Sequence, residues 1–143
     1  HGMETGFGSF MGDTNVVSAI ATLTWDCRRS DFFRPHLIGA LILVDRGSIS
    51  ANSIGAKHGE LGHTQFLPGN ALTYGVDGDG DGRIDLTVLA DSMATTANYL
   101  RQKGWKPGKG YQEGEPNFAV IQQWNAATVY QQAIAIMAAK IDG

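Results

Sequence analysis

An all-α fold is predicted by three features of this sequence. Apolar residues recur at three- and four-residue spacing in several segments. Capping residues stand before most of those segments, and Gly or Pro stands after most of them. No stretch alternates apolar and polar residues as a strand does, and no internal repeat is present. With 143 residues, one domain spanning residues 1–143 is expected. Apolar residues at 43% and charged residues at 17% mark a chain that folds.

The elements follow in order. Residues 1–12 are Gly-rich and aromatic, and they read as the tail of a helix followed by a loop. The chain starts at His1 without an initiator Met, so it is expected to be a processed or N-terminally incomplete product. Asp13 or Thr14 is positioned to cap a helix over about 15–26, with Val16, Ala19, Ile20 and Leu23 on one face. Ser30 is the expected cap of the next helix, and Asp31 in its first turn suits the dipole. Phe33, Leu37, Ala40, Leu41 and Val44 form its main stripe. Ile38 and Ile42 lie opposite, so the helix is expected to be largely buried, with Gly47 as its stop. A short helical turn is expected near 60–66, ended by Pro68. A helix over about 88–103 carries Leu89, Met93, Ala97 and Leu100 on one stripe, with Gly104 after it. Residues 106–115 read as a linker. Helices over about 117–124 and 127–141 close the chain, the last with Tyr130, Ala133, Ile134, Met137 and Ile141 in line.

Net charge is −3, which argues against nucleic acid as a partner. The acidic excess is local. Asp77, Asp79, Asp81 and Asp85 face only Arg83 between 77 and 85, and elsewhere acidic and basic residues balance. The longest apolar run, 37–44, falls well short of the ~18 residues a spanning helix needs. Cys27 is the single cysteine, so no disulfide within the chain is available. It reads as a small residue at a helix end.

The acidic segment carries the most specific local signal. Asp77-Gly-Asp79-Gly-Asp81-Gly-Arg83-Ile84-Asp85 follows the first nine positions of a calcium-binding EF-hand loop. Asp77, Asp79 and Asp81 stand at alternate positions, Gly82 permits the turn, and the Arg83 carbonyl is the main-chain ligand. Position 12, normally a bidentate Glu, is Val88, so a longer loop over 77–91 closed by Asp91 is expected. Calcium is the expected ion, with sodium as the alternative. His58 and His63 are five apart, roughly 140° round a helix, and do not follow the zinc pattern. They are expected to be surface or cleft histidines. No G-x-S-x-G elbow occurs. Glu4 lies between Met3 and the Gly6-Phe7-Gly8 turn, and apolar neighbours raise a carboxyl pKa, as protonating a glycosidic oxygen requires.

Several ordered motifs together resemble one family. Glu4-Thr5-Gly6-Phe7-Gly8, Ala21-Thr22-Leu23 and Arg28-Arg29-Ser30-Asp31-Phe32-Phe33 resemble the catalytic stretch of lytic murein transglycosylases of the membrane-bound B type. Gly59-Glu60-Leu61-Gly62-His63-Thr64-Gln65-Phe66-Leu67-Pro68 resembles their G-x-M-G-x-x-Q-F-M-P signature. Tyr74-Gly75-Val76-Asp77, Ala97-Asn98-Tyr99-Leu100 and Trp124-Asn125 continue the series. The resemblance implies a lysozyme-like helical domain that cleaves the MurNAc–GlcNAc bond of peptidoglycan glycan strands and leaves 1,6-anhydromuramoyl ends. It implies that Glu4 is the single acid/base and that Gln65, Tyr99, Trp124 and Asn125 line the saccharide cleft. It also implies that Asp77, Asp79, Asp81, the Arg83 carbonyl and Asp91 hold the ion. A monomer in the bacterial periplasm or envelope is implied as well. Three features depart from the family: Trp124 replaces a common Tyr, Ala56 replaces a common Ser, and the segment from Trp105 to Asn117 is short. The competing expectation is a non-catalytic, calcium-dependent module that binds cell-wall glycan.

Overall fold

The computed structural model describes residues 1–26 and 28–143. The expectation for Cys27 therefore lies outside the described residues. Among them the chain forms α1 (Gly2–Thr5), β1 (Thr14–Asn15), α2 (Val16–Trp25), α3 (Ser30–Asp45) and β2 (Ile54–Gly55). Then come α4 (Pro68–Tyr74), α5 (Leu89–Gln102), α6 (Phe118–Trp124) and α7 (Thr128–Asp142). The class is all-α, as expected. The residues group into two compact units, His1–Thr96 and Ala97–Gly143.

In the first unit the cap of α2 is Asn15, not Asp13 or Thr14. Its side chain accepts from the Ser18 N–H at 2.9 Å. Thr14 and Asn15 are extended because they pair antiparallel with Gly55 and Ile54. Ser30 is the first residue of α3 and not its cap, which is Arg29. The helix also buries one face where burial nearly all round was expected. Phe33, His36, Gly39, Ala40 and Leu43 face inward, while Ile38 and Leu41 are each 54% exposed. Both α2 and α4 pack on α3, with Gly39 set close against Gly69 of α4. On the opposite side Ile38 is exposed and Ile42 half-buried.

The segment 61–66 is not a helical turn. Leu61 and Phe66 exchange backbone hydrogen bonds of 2.7 and 3.0 Å and close a tight loop. Gln65 takes a positive φ of 57°, which a helix does not allow. Pro68 begins α4 and ends nothing; at the first helical position its missing N–H costs no hydrogen bond. The next N–H of α4, from Gly69, is accepted by His36 Nδ1 of α3 at 3.2 Å. Burial lowers the pKa of that imidazole.

The first part of α5 reverses the expected stripe. Leu89 and Met93 are exposed, and Asp91, Ser92 and Thr95 are buried. These polar groups are all paired. Ser92 Oγ meets Thr64 Oγ1 at 3.0 Å, Thr96 Oγ1 donates to Thr64 Oγ1 at 3.0 Å, and Thr95 Oγ1 accepts from the Val76 N–H at 3.0 Å.

In the second unit Phe118, Ile121 and Ala135 form the core, with Trp105, Tyr111 and Ile134 against it. Along α7 the buried residues are Gln131 and Ala135, whereas Met137 and Ile141 of the expected line are exposed. The small Ala135 is the point where the core closes over α7. The expected linker over 106–115 is held by Asn117, which is fully buried. Its amide donates to the Lys106 and Lys109 carbonyls and accepts from the Lys106 N–H, at 2.8–2.9 Å.

Candidate active site

Glu4 sits on α1, a helix of four residues ended by Gly6 in the left-handed conformation. One turn of helix has little stability of its own, so tertiary bonds must hold it. Thr5 supplies them. It is buried, and its hydroxyl donates to the His63 carbonyl at 2.8 Å and accepts from the Gly8 N–H at 2.9 Å. The apolar shelter expected around Glu4 is thin. Phe7 folds back edge-on to the His1 ring at 5.5 Å, and both Phe7 and Met3 are exposed. Glu4 itself is half-buried.

Gln65, in the same unit, turns its amide toward the backbone. Its Nε2 donates to the Gly62 carbonyl at 2.9 Å and the Met11 carbonyl at 3.3 Å. Its Oε1 has no partner among the described residues and is not buried, so it can accept from a ligand.

Three further candidates lie in the second unit. Tyr99 is 7% exposed, and its hydroxyl donates to the Gln123 carbonyl at 2.9 Å. Its ring meets Trp124 edge-on at 5.3 Å and carries the Lys103 ammonium over its face at 5.4 Å. Tyr99 is therefore chiefly a packing residue that props Trp124, which is half-buried. Asn125 caps the turn into α7 by accepting from the Ala127 N–H at 2.9 Å. Its carbonyl accepts from Gln131 at 2.8 Å.

The acidic loop is ordered by its own carboxylates. Asp77 accepts from the Gly80 N–H at 2.6 Å and the Gly82 N–H at 2.8 Å, and these backbone donors, Gly82 foremost, lower its pKa. Asp91 is 1% exposed and spans the loop, accepting from Gly78 and Asp85 at 2.8 Å each. One carboxylate oxygen from each of Asp77, Asp79 and Asp91 lies within 4.8 Å of the others. Asp81 lies outside that group and accepts from the Arg83 N–H at 2.8 Å. The Arg83 guanidinium donates to the Gly47 carbonyl. An all-oxygen donor set suits calcium or sodium and not zinc.

The two histidines go separate ways. His58 pairs with Glu60 at 3.3 Å. His63 bonds to His1 and to the Thr87 carbonyl, each at 3.1 Å. Sequence reasoning missed Thr5 and His63 as the pair that ties down the turn carrying Glu4. The contacts join residues 58 positions apart, and no local spacing announces them.

Comparison with known proteins gives a consistent picture. The transglycosylase SLT domain family matches residues 1–114. Over 109 residues the chain is 36% identical to the membrane-bound lytic murein transglycosylase B of Escherichia coli, covering 75% of this chain and 30% of that protein. It is similar to SltB3 from Pseudomonas aeruginosa, solved in complex with NAG-NAM-pentapeptide, at a TM-score of 0.90 and 27% identity over 99% of this chain and 55% of that one. Soluble lytic transglycosylase SltB1 from the same organism gives 0.88 and 26% over 98% and 67%. Slt35 of Escherichia coli, solved in complex with calcium, shares the fold at 0.84 and 24% identity over 98% and 64%. The chain spans under a third of the curated relative's length and 55% to 67% of these solved chains.

Proposed function

The chain belongs to the transglycosylase SLT domain family, and on that premise we propose that it cleaves the MurNAc–GlcNAc β-1,4 bond of peptidoglycan without water. Its fold is that of the lysozyme-like lytic transglycosylases. The observation that carries the reading is the family match over residues 1–114, which includes Glu4, Gln65, the acidic loop and Tyr99. SltB3, which is similar over nearly the whole chain, was solved with a NAG-NAM fragment, and this supports glycan strands as the substrate.

Glu4 acts alone. It donates its proton to the glycosidic oxygen as that bond breaks. The N-acetyl oxygen of the same sugar supports the anomeric carbon, a role that a second carboxylate fills in ordinary glycosidases. Glu4, now a carboxylate, takes the proton of the C6 hydroxyl as its oxygen closes on C1, forming the 1,6-anhydro ring and restoring the acid. The hydroxyl competes with water because it is already held beside the reacting carbon. Since the apolar neighbours Met3 and Phe7 are exposed, the bound saccharide itself supplies the water exclusion. Gln65 Oε1 accepts from a sugar hydroxyl, and Trp124 and Asn125, with Tyr99 behind Trp124, contact saccharide in the second unit. Asp77, Asp79 and Asp91 would hold calcium or sodium, with Asp81 and the Arg83 carbonyl completing the set. The ion supplies charge neutralisation to the loop and takes no part in the chemistry. The protein acts as a monomer in the bacterial envelope. No helix among the described residues is long and apolar enough to cross a membrane.

Digestion of purified peptidoglycan followed by mass spectrometry tests the reading. Anhydro-ended muropeptides are expected from the parent and none from Glu4→Gln, with melting unchanged. Reducing ends in their place identify a hydrolase. Glycan binding without turnover, unaffected by Glu4→Gln, identifies the calcium-dependent binding module.

A further inference from the structure

The strongest unassigned feature is the set of bonds around His63. We propose that His63 is a positioning residue, a bracket that fixes the helix carrying Glu4 against the end of the acidic loop. The proposal rests on the reading of Glu4 as the acid.

Four bonds converge on this one residue. Its backbone N–H donates to the Leu86 carbonyl at 3.0 Å, and its carbonyl accepts from the Thr5 hydroxyl at 2.8 Å. Its ring Nε2 lies 3.1 Å from the Thr87 carbonyl, and its Nδ1 lies 3.1 Å from His1 Nε2. A carbonyl only accepts, so Nε2 carries the ring proton and Nδ1 accepts from His1. The backbone thus joins α1 to 86, and the ring joins α1 to 87. His1 and Thr5 flank Glu4 on its own single turn.

Two glycines show how closely the bracket is packed. A Cβ at Gly8 would stand 2.3 Å from the His63 ring, and one at Gly62 would stand 2.0 Å from the Leu86 oxygen. Both have positive φ, of 85° and 73°. The imidazole is therefore seated on the turn that follows Glu4 with no space between. A four-residue helix does not hold its own orientation. Here the Thr5 bond and the ring supply it together, anchored to the segment that leads from the acidic loop into α5.

Two near-isosteric variants of the full chain test this. In His63→Gln the amide nitrogen reaches the place of Nε2 and keeps the bond to Thr87, but nothing then stands at Nδ1 to accept from His1. In His63→Asn the shorter side chain reaches only the place of Nδ1, so it keeps an acceptor for His1 and loses the bond to Thr87. Each variant therefore cuts the bridge at one end. Turnover of soluble glycan strands should fall about tenfold to a hundredfold in kcat for both, the scale of effect that small misplacement produces. KM should stay unchanged. Hydrogen exchange at the Gly6 and Gly8 amides should quicken in both variants. Parent kcat and parent exchange in either variant would overturn the proposal, as would a loss confined to KM. Should Glu4→Gln turn over like the parent, the reading of Glu4 fails and the proposal with it. That case is recognisable, because exchange at Gly6 and Gly8 still separates both His63 variants from the parent.

Discussion

His36 shows how one buried side chain ties packing to pH. Its Nδ1 accepts the Gly69 N–H, and its ring lies edge-on to Phe32 at 5.2 Å and Phe33 at 6.4 Å. Protonation would turn that acceptor into a donor facing another donor, inside an aromatic shell that solvates charge poorly. Burial accordingly lowers the folded-state pKa. The unfolded chain then binds more protons than the folded one as pH falls below the unfolded value of about 6.5. The stability from neutral His36 is complete above that pH and is lost progressively toward the lower folded pKa. Urea unfolding at pH 7.5 and pH 5.5 should show the parent weaker at the lower pH. His36→Asn keeps an acceptor for Gly69 without titrating, so its difference between the two pH values should shrink. An undiminished difference would show that His36 is not its source.

At the scale of elements, the acidic loop separates two roles that one residue type plays. Asp91 is buried and takes two backbone N–H groups, whereas Asp79 is exposed and takes the Asp81 N–H. Asp91→Asn leaves one of those donors facing an amide NH2. It should therefore cost about 1–3 kcal/mol even under chelation. Asp79→Asn should leave chelated stability unchanged and diminish only the gain on adding Ca²⁺. Chemical denaturation of both variants with and without Ca²⁺ measures this, and equal losses under chelation would show the loop is no scaffold without its ion. The turns of the acidic loop were legible in the sequence because alternating Asp and Gly favour local turns. Helix positions were legible because their signals too are local: α3, α5, α6 and α7 lie within a few residues of their cap and glycine signals. The buried faces were not. Hydropathy picks Leu89 and Met93, but α5 buries Asp91, Ser92 and Thr95 because Thr64, Val76, Gly78 and Asp85 supply partners from afar. The 61–66 loop was misread because Gly59, Gly62 and Gln65 leave the helical region only once the chain closes on Leu86. Glu4 stood out by resemblance, whereas His63 read only as a surface or cleft histidine, since its contacts are made entirely by the fold.

For the whole molecule, the two compact units give cation binding a spatial signature. Asp77, Asp79 and Asp91 all belong to the first unit, His1–Thr96. An ion that binds only the folded form stabilises by mass action, about 2.7 kcal/mol at a hundred times its Kd. That gain belongs to whatever unfolds together with the loop. Native-state hydrogen exchange reads it residue by residue. Adding Ca²⁺ after chelation should slow exchange at core amides of the first unit, such as Ile20 and Leu43, which need that unit to open. Phe118 and Ile121, in the core of the second unit, should gain little. Equal slowing in both sets would mean that the units open as one cooperative body, and the ion would then stabilise the second unit as well as its own. No slowing in either set would remove the ion from the account of stability, leaving the loop's carboxylates and their backbone donors, those of Asp77 and Asp91 foremost, as its support.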